Sequence, residues 1–114
     1  MQGSGTSRPG VVYLARPGRP AVVTRTLDEL VGPEHGLVEL PQRLFWQPNR
    51  IFDLDKPAQL HWMYENVLRE AIRTDELRTW INAGILVRIW RELNLPRGVR
   101  QAWEARYPQL RTAA

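Results

Sequence analysis

After Asp55, proline, glycine and polar caps cut the chain into four short amphipathic segments. The joints between them are too short for anything but a tight helical cluster. The first segment, from about Lys56 to Arg73, places Leu60, Met63, Tyr64, Val67, Leu68, Ala71 and Ile72 on one helical stripe. Asp55 is positioned to cap it, and Pro57 is tolerated in a first turn, where its missing N–H has no partner. Glu65 and Arg69 stand four apart and predict an ion pair on the wet face. Thr74 reads as the cap of a second helix burying Leu77, Trp80 and Ile81, with Asn82-Ala83-Gly84 as its stop. A third, about Ile85 to Leu93, buries Leu86, Ile89, Trp90 and Leu93. Leu95-Pro96 opens a fourth, about Arg97 to Arg106, with Val99, Ala102 and Trp103 inward and Pro108 closing it.

The N-terminal half has a different grammar. Residues 1–10 are polar and Gly/Ser-rich and read as a flexible leader without the apolar stretch of a signal peptide. Val11–Ala15 and Ala21–Thr24 flank Arg16-Pro17-Gly18-Arg19-Pro20, the pattern of a β-hairpin around a Pro-Gly turn. A lone hairpin is marginal in water, so this one must pack on the domain or on a partner. Thr26–Val31 reads as one capped helical turn ended by Gly32-Pro33. Leu37–Pro41 and then Gln42–Trp46 read as extended, Pro48-Asn49-Arg50 as a turn, and Ile51–Leu54 as the lead into the first helix. The expected fold is therefore mainly α, of the α+β class. One small domain covers residues 11–114, with a hairpin at 11–25 and a helical part at 55–107.

Between Leu37 and Leu110 lie five tryptophans, two phenylalanines and two tyrosines, but no convincing catalytic set. Cysteine is absent, which removes thiolate metal sites and disulfides. His35 and His61 stand 26 positions apart with no second ligand at metal spacing. Serine occurs only as Ser4 and Ser7, in the leader. Asp53 and Asp55 could share a strand face and hold Mg²⁺, but no third carboxylate or glycine-rich cradle accompanies them, so capping and turn formation are the better reading. His61 reads as a surface histidine, since no nucleophile is near it. The chain reads as a recognition protein that needs no cofactor, not as an enzyme. Its apolar runs fall far short of the ~20 residues that span a bilayer, and a cytoplasmic location is expected.

Candidate contact residues follow from aromatics and charge. Trp80, Trp90 and Trp103 fall on inward helix faces. Trp62 stands off the centre of its stripe and should be half exposed. Phe45 and Trp46 are adjacent, so in an extended segment they point to opposite faces and one should leave the core. The net charge is +4, with fifteen arginines to a single lysine, Lys56. The excess gathers at residues 96–114, where Arg97, Arg100, Arg106 and Arg111 face Glu104 alone. Exposed aromatics and arginines dominate interface energies. Phe45, Trp46, Trp62, Arg97, Arg100 and Arg106 are thus the candidate partner-binding set. The same arginines could contact phosphates, although only Gln101 joins them as a base-reading type, so weak nucleic-acid binding is the alternative expectation.

The order Leu37-Val38-Glu39-Leu40-Pro41-Gln42-Arg43-Leu44-Phe45-Trp46, Phe52-Asp53-Leu54-Asp55 with Pro57, Tyr64-Glu65, Val67–Glu70, Trp90, Leu93–Pro96, Val99-Arg100 and Ala102-Trp103 resembles a known group. These are small actinobacterial proteins encoded upstream of nucleotidyltransferase-like toxins of the abortive-infection type. The resemblance covers about residues 37–110. It implies a toxin–antitoxin module in which this chain is the antitoxin-like partner and neutralises the toxin by direct contact. A basic C-terminal helix could then dock on acidic residues that normally hold Mg²⁺. The winged-helix half of the better-known abortive-infection antitoxins has no counterpart here, so the resemblance speaks for toxin contact more than for operator binding. The alternative is a small basic nucleic-acid-binding protein or transcriptional autoregulator.

Overall fold

The computed structural model describes residues 12–112; the expected leader at 1–10 and Val11 lie outside them. Two small antiparallel sheets precede five helices, an α+β architecture. Strands β1 (Leu14–Arg16) and β2 (Arg19–Pro20) form the hairpin. Gly18 has φ +78°, the sign a Pro-Gly turn needs at its second central residue. The strands are shorter than the β-branched runs suggested. Beyond Pro20 the chain leaves the ladder after one bond, Ala21 N–H to the Tyr13 carbonyl. Val22 and Val23 then pack on the core, and Thr24 is buried. Thr26 opens a 3-10 turn, Leu27–Glu29, and its N–H donates to the Glu29 carboxylate at 2.8 Å.

β3 (Leu37–Glu39) and β4 (Ile51–Asp53) pair as Leu37 with Asp53, Val38 with Phe52 and Glu39 with Ile51. Val38 and Phe52 face inward and Leu37 and Ile51 outward, as strand alternation requires. The expected extended run Gln42–Trp46 is instead a turn. The Pro41 carbonyl accepts from the N–H groups of both Leu44 and Phe45. That tight bend allows Leu44 and Phe45 both to be buried, which an extended strand could not do.

The helices are α1 (Pro57–Glu70), α2 (Thr74–Trp80), α3 (Ala83–Ile89), α4 (Arg97–Arg106) and α5 (Gln109–Thr112). α1 stops earlier than its stripe suggested because Glu76 competes for the backbone: its carboxylate accepts the N–H of Ile72 at 2.9 Å. Ile72 is consequently 47 % exposed and not part of the core. Thr74 is the first helical residue of α2, not its cap. Asn82-Ala83-Gly84 begins α3 instead of ending α2, since the Asn82 side chain accepts the Ile85 N–H. Pro108 closes α4 and then opens the extra turn α5. Asp55 caps no helix; its carboxylate accepts the Gly36 N–H. The Glu65–Arg69 pair does not form: Glu65 accepts the Asn94 N–H, and Arg69 turns to Asn66 and Glu70.

One apolar cluster runs from Ala15 in the hairpin to Leu110 in α5. Trp90 and Trp103 lie fully inside it with ring centroids 6.3 Å apart, while Trp80 is only half-buried at its edge. The hairpin is locked on by Gly98 of α4, where any Cβ would stand 1.8 Å from the Leu14 carbonyl oxygen. At the other end Tyr107 donates its hydroxyl to the Thr24 carbonyl at 2.5 Å. Burial pushes the Tyr107 phenol upward, so it stays protonated and able to donate. Among the described residues no helix is long and apolar enough to cross a membrane.

Candidate functional site: an aromatic groove in an arginine lattice

Trp62, Asn66 and Arg69 share one face of α1 because they are spaced by four and three residues. The turn after β3 brings Arg43, Phe45 and Trp46 against that face, and β1 contributes Arg16. Together with Leu44, Gln47 and Glu70 they line a groove of about 260 Å³. Trp46 is 78 % exposed and Trp62 is 48 % exposed. Phe45, grouped with them from the sequence, is turned inward and only 7 % exposed. Its ring meets Trp62 edge-on, centroids 5.2 Å apart at 86°, and Phe52 does the same at 5.7 Å and 81°. Each such contact adds about 0.5–1.5 kcal/mol beyond area burial. Trp62 is thus a half-exposed ring held in a fixed orientation, with Trp46 beside it as the more open one.

The rim is ionic. Glu70, the last residue of α1, accepts from Arg16 at 2.5 Å, Arg19 at 3.0 Å and Arg69 at 3.1 Å. Its carbonyl, at the negative end of the helix, accepts from Arg43 at 2.6 Å and Arg19 at 3.2 Å. Arg43 also grips Glu76 with two nitrogens, at 2.6 and 2.9 Å. Burial alone would raise the Glu70 and Glu76 carboxyls. The hydrogen bonds from Arg69 and Arg43 lead the opposing influences, and both groups end below the usual carboxylate range. The groove lining holds three guanidinium groups against one carboxylate, a formal excess of two positive charges.

The other sequence candidates are dispersed. Arg100 is spent inside the fold: it lies over the Trp90 ring at 5.1 Å, donates to the Leu93 carbonyl and stands 3.8 Å from Glu104. Arg97 is exposed at the start of α4. Arg106, at its end, lines a separate concavity with Arg25 and Arg78. Sequence reasoning missed Arg16, Arg43 and Arg69. Their only signal was arginine abundance, since 27 and 26 residues separate neighbouring members.

The two histidines, far apart in sequence, line one concavity of about 400 Å³. His35 stands 3.3 Å from Asp55 and His61 3.1 Å from Glu92. Among the described residues no group of His, Cys, Asp and Glu has the arrangement to hold a metal ion. Asp53 uses its carboxylate in a turn, accepting the Asp55 N–H at 3.0 Å. Comparison with protein-family models, curated proteins and solved structures found no match.

Proposed function

We propose that this chain is a cytoplasmic, antitoxin-like binding protein that neutralises a nucleotidyltransferase-like toxin by direct protein–protein contact, with no catalysis of its own. The observation that carries this reading is the pair Trp46 and Trp62: two open indole rings, one pinned edge-on by buried phenylalanines, inside a rim of excess guanidinium charge. A pre-ordered anchor such as Trp62 loses little conformational freedom on binding, and arginine beside the two rings suits a partner surface bearing carboxylates. Arg97 and Arg106 supply further exposed charge, whereas Arg100 and Phe45 act by holding α4 and Trp62 in place. The resemblance of residues 37–110 to proteins encoded beside such toxins names the partner class.

The test is growth rescue and binding with a nucleotidyltransferase-like toxin of the abortive-infection type. Trp46→Ala should weaken toxin binding by about 2 kcal/mol or more, roughly 30-fold, with thermal stability nearly unchanged. Equal binding by variant and wild type would remove Trp46 from the interface. A nucleic-acid duplex bound with steep salt dependence, and no toxin bound, would transfer the function to the nucleic-acid alternative.

A further inference from the structure

We propose that a second concavity, built by Arg25, Arg78 and Arg106, binds a terminal phosphate or pyrophosphate group of a small ligand. The three arginines come from the loop after the hairpin, from α2 and from the end of α4, so only the fold brings them together. With Val23, Glu29 and Thr74 they line a space of about 540 Å³. Glu29 is the single carboxylate there, and it engages Arg78 at 3.1 Å. Among the described residues, Arg25 and Arg106 make no side-chain hydrogen bond and have no carboxylate within ion-pair distance. Both are exposed.

Like charges lining one pit make it favourable for a counter-anion to join them. The formal excess is two positive charges, which matches a phosphate monoester dianion. Guanidinium forks present paired N–H donors that fit phosphate oxygens two at a time. Thr74 adds a hydroxyl: its oxygen accepts from Arg78 at 3.1 Å, which leaves its proton free to donate to a ligand. A nucleic-acid backbone presents singly charged phosphates in a row and calls for a stripe of cations. The charge here surrounds one concavity instead of running along a stripe, which favours a terminal group.

This inference does not depend on the tryptophan groove. Calorimetric titration of the full chain with pyrophosphate, at about 0.15 M salt to screen weak surface attraction, tests it. Wild type should bind, and the double variant Arg25→Gln/Arg106→Gln should bind at least about tenfold more weakly while keeping its circular dichroism. Arg97→Gln, an exposed arginine outside the concavity, and Trp46→Ala should both bind pyrophosphate as wild type does. No binding by wild type up to about 10 mM, a Kd worth less than roughly 3 kcal/mol, would overturn the proposal. So would equal weakening by Arg97→Gln, which would mean diffuse charge attraction. A duplex without terminal phosphates that binds at the same arginines more tightly than pyrophosphate would overturn the small-ligand assignment.

Discussion

Phe45 and Trp46 are neighbours in the chain, yet their truncation should have opposite consequences. Phe45 is 7 % exposed and meets Phe52 and Trp62 at 5.2 Å each. Deleting a buried phenyl ring costs about 3–5 kcal/mol, because the transfer free energy is lost and a cavity remains. Domains of this size hold only about 5–15 kcal/mol of net stability. At about 4–8 °C per kcal/mol, Phe45→Ala should lower Tm by at least about 12 °C. Trp46 is 78 % exposed and, among the described residues, makes no ring-to-ring aromatic contact. Trp46→Ala should change stability by no more than about 0.5 kcal/mol. Urea unfolding followed by far-UV circular dichroism is the assay, since one variant removes a fluorophore. A Phe45→Ala cost under about 1 kcal/mol, against the 3–5 of a buried ring, would mean that Phe45 does not support Trp62 from below. A Trp46→Ala cost above about 2 kcal/mol, outside the surface range, would mean that its ring is packed and not an open anchor.

Acid should loosen the arginine lattice. Glu70 and Glu76 are held below their ordinary value of 4.5 in the folded chain, so their contribution is fully present above that pH. It is lost as pH falls through their lowered values, and the Glu70→Gln/Glu76→Gln double variant should show a flatter decline of urea midpoint below pH 4.5. Gly98→Ala sets two effects against each other: alanine favours a helix by about 1 kcal/mol, but its Cβ would meet the Leu14 carbonyl oxygen at 1.8 Å. Backbone cannot yield as a flexible side chain can, so a net loss of about 1–3 kcal/mol is expected; a raised Tm would refute the seating of the hairpin on α4. Tyr107→Phe removes the donor to the buried Thr24 carbonyl and should cost about 1–3 kcal/mol in urea unfolding, whereas an unchanged midpoint would show that bond to be idle.

The sequence by itself determined the helices after Asp55 and most of their buried faces. Leu60, Met63, Tyr64, Val67, Leu68, Leu77, Leu86, Ile89, Trp90, Val99 and Trp103 all recur at helical spacing and all lie in the core. Periodicity is a local property, and burying such a stripe rewards it wherever the chain packs. The hairpin was legible through another local signal, the Pro17-Gly18 turn. What failed in the secondary structure was decided by side-chain-to-backbone and turn hydrogen bonds that hydrophobic periodicity does not carry. Ile72 left the core because Glu76 captured its N–H, and Asn82 began a helix because its side chain found Ile85. Gln42–Trp46 bent into a turn that buries Phe45, so the candidate anchors Phe45 and Trp46 divided into a support and an open ring. The arginines divided in the same way. Arg97 and Arg100 belong to one helix, yet Arg100 is held by Trp90, Leu93 and Glu104 while Arg97 stays exposed. Arg16, Arg43 and Arg69, and separately Arg25, Arg78 and Arg106, meet only because three elements fold together at each place. A guanidinium takes its role from the carboxylates and carbonyls within about 3 Å of it, and only the tertiary structure sets those neighbours.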